Sequence, residues 1–69
     1  MAKHLNPPEE CDICKSSIGD QGRFVDGRTK GGPWANMCMD CFATHGVGLG
    51  LGRGQRYDWD GHHYLKTGG

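Results

Sequence analysis

Cys11-Asp12-Ile13-Cys14 and Cys38-Met39-Asp40-Cys41 are two Cys-x-x-Cys turns with 23 residues between them, and together they use all four cysteines of the chain. Two residues between cysteines let both sulfurs face one point. Two such turns complete a tetrahedron of soft ligands about 2.3 Å from a zinc ion. The pattern predicts one structural Zn2+ held by Cys11, Cys14, Cys38 and Cys41. Three other uses of four cysteines compete with it. Two disulfides need an oxidising compartment, and the sequence carries no sign of export. A thioredoxin-like redox pair needs a βαβ scaffold for which the chain is too short. An iron–sulfur cluster takes the same four thiolates, so zinc against iron stays open at this point.

A metal is also what the rest of the composition asks for. The chain has 69 residues, of which 35% are hydrophobic and 13 are glycine. A domain this small buries little apolar surface, and glycine loses the most backbone entropy on ordering. A staple is expected, and zinc that binds only the folded chain contributes on the order of 10 kcal/mol in zinc-finger peptides. The first residues contain no apolar stretch that reads as a signal peptide, and no segment is apolar enough to span a bilayer. The expected location is the cytoplasm. Eight basic and eight acidic residues cancel, and one zinc on four thiolates lowers the net charge to about −2. A generic nucleic-acid binder is expected to be basic, which this chain is not.

Outward from the cysteines, residues 1–10 read as a flexible polar lead, 11–66 as a single zinc-binding domain and 67–69 as a frayed tail. Residues 16–22 read as a connector. Residues 22–37 read as a β-hairpin with a loose tip at Arg28-Thr29-Lys30-Gly31-Gly32, and Pro33 suits the start of the return strand as an edge strand. Residues 38–45 contain no helix breaker. They predict a helix of about two turns with Asn36 or Met37 near its N-cap and Gly46 at C′. Its start offers unpaired N–H groups to the second pair of thiolates, and amides just after Cys11 and Cys14 are placed to do the same for the first. Residues 46–54 alternate glycine with larger residues but match neither phosphate-binding glycine motif. They read as a loop or extended segment whose bare face admits another backbone, with Val47, Leu49 and Leu51 turned toward the core. Asp60-Gly61 predicts a two-residue hairpin turn that pairs Trp59 with His62, Asp58 with His63 and Tyr57 with Tyr64. Tyr57, Trp59, His62 and Tyr64 then share one face, with Arg56, Asp58, His63 and Leu65 on the other. The fold class is a small metal-stabilised α+β domain: knuckle, β-hairpin, short helix and a C-terminal β-hairpin.

This order of elements resembles a treble-clef zinc finger over residues 11–46. Trp34-Ala35-Asn36-Met37-Cys38-Met39-Asp40-Cys41-Phe42 is similar to the strand-to-helix passage of GATA-type fingers, whose members bind DNA. The present chain has a longer spacing between cysteine pairs and no strongly basic tail after the helix. The string Gly-Pro-Trp-Ala-x-Met-Cys-x-x-Cys, with Gly-x-Gly-Leu-Gly-x-Gly-x-Gly-Gln-x-Tyr further on, resembles small uncharacterised bacteriophage-encoded proteins. That resemblance implies a phage origin, hence a host cytoplasm, and no activity.

Three functions compete. A protein-interaction module is slightly preferred, its contact face formed by the rings of the last hairpin, because aromatic anchors dominate interface energetics. Against this, Tyr57, Trp59 and Tyr64 also suit a core role in a chain with few large residues, as do Trp34 and Phe42. The alternative is nucleic-acid binding through Arg23, Arg28 and Lys30 around the first hairpin and Arg53, Arg56 and Lys66 around the second, with Tyr57, Trp59 and Tyr64 as stacking rings. Interleaved Asp20, Asp26, Asp58 and Asp60 favour ordinary solvated charge instead. An enzyme is disfavoured, since four thiolates close the zinc shell that hydrolysis needs open. No membrane contact and no small-molecule substrate are expected. His45, four residues after Cys41, is read as closing the helix rather than as a ligand. His62 and His63 point oppositely and do not chelate together.

Overall fold

Phe24 and Val25 are neighbours in one strand, and both are fully buried. Successive strand residues face opposite sides of a sheet, so this strand is covered on both faces and must be central. A computed structural model, which describes residues 3–4 and 7–69, shows how. The elements are β1 (Lys3–His4), α1 (Ile18–Gln21), β2 (Arg23–Arg28), β3 (Trp34–Met37), α2 (Met39–His45), β4 (Gly54–Trp59) and β5 (Tyr64–Gly68). All strands join one antiparallel sheet in the order β1-β5-β4-β2-β3. The buried cluster is Cys11, Ile18, Phe24, Val25, Met37, Cys38, Cys41 and Tyr64.

The first hairpin forms as expected. Val25 pairs with Met37 and Arg28 with Trp34, and the tip closes through the Thr29 N–H and hydroxyl, both donating to the Pro33 carbonyl. The helix also forms, but Cys38 itself is its N-cap, one or two residues beyond the expected Met37 or Asn36, and its sulfur accepts from the Cys41 N–H. Gly46 ends the helix in extended rather than left-handed backbone. Glycine is needed there for space, because a Cβ would lie 2.3 Å from the Phe42 ring.

Residues 16–22 are more than a connector. Ser17 caps α1 by accepting from the Asp20 N–H, and Gly22, left-handed at φ 72, closes it. A serine cap three residues before Asp20 and a glycine at the stop are signals present in the sequence, but four residues give too little periodicity to read.

The last hairpin differs in register. Trp59 pairs with Tyr64, Asp58 with Leu65 and Tyr57 with Lys66, with a bulge at Arg56/Tyr57. The turn is four residues long because the Asp60 carboxylate accepts from both the His62 and His63 N–H groups. This side-chain turn outcompetes the tight Asp-Gly turn. A two-residue displacement leaves the faces intact, so Tyr57, Trp59 and Tyr64 still lie together; His62 leaves the face for the turn. β5 continues through Thr67 to Gly68 rather than fraying. At the other end of the chain, Lys3 and His4 pair with Leu65 and Tyr64, so the lead is a strand at those positions, and Ile18 donates to the Glu9 carbonyl at 3.1 Å. The remainder of the expected lead, residues 1, 2, 5 and 6, lies outside the described residues.

Asp58 gathers the end of this hairpin. It accepts from Arg56 Nε at 3.1 Å and from the Thr67 hydroxyl, and it faces Arg23 Nε at 3.4 Å. Burial pushes its carboxyl up, but Thr67, Arg56 and Arg23 outweigh that and hold it below its ordinary value. A carboxyl lowered in the folded state contributes stability above its unfolded pKa of about 3.9, and that stability is lost as pH falls through the folded value. Asp58→Asn is therefore expected to cost about 1 kcal/mol near neutrality, and denaturant midpoints of the two proteins should converge as pH falls below the lowered folded value of Asp58.

The glycine segment 46–54 keeps one expectation and loses another. Leu51 is 97% exposed and Val47 is exposed, while only Leu49 packs against the core. The alternating φ of Gly48, Gly50 and Gly52, all positive, breaks the extended geometry that would align the three side chains. The close backbone approach is real at Gly27, where a Cβ would lie 2.8 Å from the Arg53 carbonyl oxygen and 2.9 Å from Gly54 Cα. Gly27→Ala is expected to destabilise by about 1–3 kcal/mol, because the obstruction is backbone that must shift. Thermal unfolding of the metal-loaded protein measures it.

Candidate metal centre

The first cysteine pair sits in a closed knuckle. Lys15 N–H donates to the Cys11 carbonyl at 3.0 Å and Cys11 N–H to the Ser16 carbonyl at 2.9 Å. Lys15 takes a left-handed backbone, φ 66, to let the chain double back. The knuckle is then tied to β3 by a reciprocal pair: Asp12 N–H donates to the Asn36 carbonyl at 2.9 Å, and Asn36 N–H to the Asp12 carboxylate at 2.8 Å. Asn36 lies two residues before Cys38. Those two bonds therefore bring the two halves of the site together across 24 residues of chain.

The four sulfurs lie within 4.8 Å of one another, and Cys14 Sγ is 3.6 Å from Cys38 Sγ. A tetrahedron of sulfurs about 2.3 Å from a central ion has edges of about 3.8 Å. The cysteines are free thiols, Cys14 exposed and the other three buried. All four are positioned to bind one metal ion, and their donor set is all sulfur.

The environment favours thiolate on one side of the cluster. Ile13 N–H points at Cys11 Sγ at 3.4 Å and Cys41 N–H at Cys38 Sγ at 3.5 Å. The Ser16 hydroxyl, then its N–H, lowers Cys14 to about 6. Burial raises Cys11, but N–H groups of Cys14, Cys38 and Ile13 bring it net below its ordinary value. Burial, then the neighbouring sulfurs, pushes Cys41 up. One thiol is thus ready as a ligand near neutrality, and a bound cation would have to supply the attraction that ionises Cys41.

His45 ends α2 outside the sulfur cluster, and its carbonyl accepts from Lys30 N–H at 2.7 Å. The residues expected at a partner surface divide into two groups. Tyr64 is buried and Tyr57 packs on the core, stacked on Phe24 with ring centroids 5.2 Å apart. Arg23 and Arg56 are engaged with Asp58. Trp59 is half-exposed, His62 lies in the turn, and Arg28, Lys30 and Arg53 are exposed at the opposite end of β2 and β4. Trp34, expected in the core, is 48% exposed, while Phe42 packs against the core. The exposure of Trp34 follows from β3 being a sheet edge, for which Pro33 at the start of the strand is the sequence signal.

The fold and the site define a small α+β protein built around a cluster of four cysteines positioned to bind one metal ion. No family model matches the chain, and neither a curated protein nor a solved structure matches it. No helix among the described residues is long and apolar enough to cross a membrane.

Proposed function

We propose that this chain is a non-catalytic recognition module of treble-clef type, ordered by one structural zinc ion, whose glycine-rich end binds a nucleic-acid backbone. The metal reading rests on the sulfur cluster, with zinc preferred over iron for a closed four-thiolate shell in a chain that needs a staple. The treble-clef reading rests on the knuckle, the hairpin and the placement of Cys38 and Cys41 at the helix start. The resemblance to phage-encoded proteins and the four free thiols support a host cytoplasm.

One observation carries the nucleic-acid reading. Residues 27–39 and 41–57 contain no aspartate or glutamate, and the fold joins these two segments. Arg28 N–H donates to the Arg53 carbonyl at 2.7 Å, Lys30 N–H to the His45 carbonyl, and Thr29 pairs with Gly46. Arg28, Lys30 and Arg53 thereby share one end of the molecule, and none makes an ion pair among the described residues. Trp34, the cross-strand partner of Arg28, supplies an open ring for base stacking. A protein partner, preferred from sequence, loses support because two of the four residues of its proposed face turn into the core.

Fluorescently labelled single-stranded and duplex oligonucleotides, titrated at about 50 and 200 mM salt, test this. Three phosphate contacts predict about a 20-fold loss of single-strand affinity over that range. The Arg28→Ala/Lys30→Ala/Arg53→Ala protein should lose both affinity and salt slope while keeping its fold. Binding that ignores the triple substitution would overturn the reading.

A further inference from the structure

At the other end of β4, a cleft of about 510 Å³ is lined by Pro7, Pro8, Glu9, Ser17, Gly19, Trp59 and Tyr64. We propose that this cleft binds an organic ammonium group, either a small quaternary ammonium ion or an alkylated lysine side chain. It goes beyond the nucleic-acid reading and uses none of the same residues.

The walls are aromatic and fixed. Trp59 and Tyr64 meet edge-on, ring centroids 5.1 Å apart at 62°, and so form a corner. Tyr64, 5% exposed, backs it, while Trp59, 49% exposed, presents an open indole face. The Trp59 main chain is held by its backbone N–H donating to the Gly22 carbonyl at 2.8 Å, and the Tyr64 ring by its hydroxyl donating toward the Ile18 carbonyl at 3.5 Å. The opposite wall, residues 7–9, is tied to α1 by the Ile18–Glu9 bond and the Glu10–Ser17 bridge. A cleft held on both sides needs no ordering when a ligand enters, which preserves affinity.

Charge selects the occupant. Among the described residues, Glu9 is the lone ionisable carboxylate in the lining, no basic side chain lines the cleft, and Glu9 makes no ion pair. An anion or a phosphate backbone meets repulsion there. A neutral apolar group would gain the rings but waste the carboxylate. An alkylated ammonium uses both: its methyl groups pack on the rings, the indole face attracts the cation, and Glu9 completes the field.

Gly19 makes the test clean. A Cβ there meets only Ser17 Oγ, at 3.8 Å, and its backbone lies outside the left-handed region. Gly19→Leu should fill the cleft without disturbing the fold. The zinc-loaded, 15N-labelled protein is titrated with choline chloride, with sodium chloride at equal ionic strength, with 3,3-dimethylbutanol as the uncharged isostere, and with short peptides carrying lysine or trimethyl-lysine. The expected result is a saturable shift of the Trp59 indole and Gly19 amide signals with choline and with the trimethyl-lysine peptide. The isostere should bind about tenfold more weakly. Glu9→Gln should weaken the cations several-fold and leave the isostere unchanged, and Gly19→Leu should abolish both. The tighter of the two cations identifies the source. Equal binding of choline and its isostere, or no saturable shift with any cation, overturns the proposal. So does unchanged binding in Gly19→Leu. If Gly19→Leu loses its dispersed spectrum, the Glu9→Gln comparison decides.

Discussion

Cys14→Ser abolishes tight metal binding and unfolds the chain, although Cys14 is exposed. This is the largest effect expected of any single substitution, and it separates two accounts of the cysteines. If the thiols were merely small apolar residues, replacing an exposed one would be worth less than about 0.5 kcal/mol. As a ligand, Cys14 completes the tetrahedron, and its loss forfeits much of a metal-binding free energy on the order of 10 kcal/mol. Among the described residues, three of the eight buried hydrophobic residues of the core are themselves cysteines, so removing the metal also leaves like-charged or protonated sulfurs crowded within 4.8 Å. Chelation should therefore collapse the far-UV circular dichroism and the amide dispersion together, and stoichiometric zinc should restore both. Elemental analysis should find one zinc per chain. A chelated protein that keeps its dispersed spectrum would refute the metal as the organiser of the fold.

Phe24→Ala costs about 3–5 kcal/mol even with the metal bound. Phe24 is the ring that ties β2 to β4 and β5 on one face of the sheet. It stacks on Tyr57 at 5.2 Å, receives Tyr64 edge-on at 5.0 Å, and is fully buried. Aromatic pairs of this kind add about 0.5–1.5 kcal/mol beyond the area they bury. Truncation removes both contacts and opens a cavity against β4, a strand that cannot close inward because Gly27 and Gly54 already hold the β2 and β4 backbones together. Phe24→Leu should lose less. Denaturant unfolding at saturating zinc is the measurement, and a cost under about 1 kcal/mol for Phe24→Ala would show that the metal alone carries the sheet.

Much of the architecture was readable from local signals. The cysteine spacing marked the four sulfurs that the fold gathers within 4.8 Å of one another. The β-prone run at Arg23, the proline at 33 and the breaker-free stretch after Cys38 marked the first hairpin and the helix. What escaped was decided by competition between side chains. The last hairpin moved in register because one carboxylate oxygen of Asp60 satisfies two N–H groups at once. Leu51 left the core because alternate glycines took positive φ. Trp34 stayed half-exposed because β3 has a neighbour on one side only.

From residue order alone came the four cysteines of the cluster and the sorting of the last hairpin's strand side chains into two faces. These depend on chemistry or on a period of two, which no rearrangement of distant segments can alter. Tertiary structure decided which charges are free and which rings are open. Asp58 reaches Arg23 across strands and leaves Arg28, Lys30 and Arg53 unopposed at the far end. Phe24 draws Tyr57 and Tyr64 inward and leaves Trp59 outside. Electrostatic pairing and burial are properties of proximity in space, and proximity between residues 23 and 58 is created only when the sheet closes.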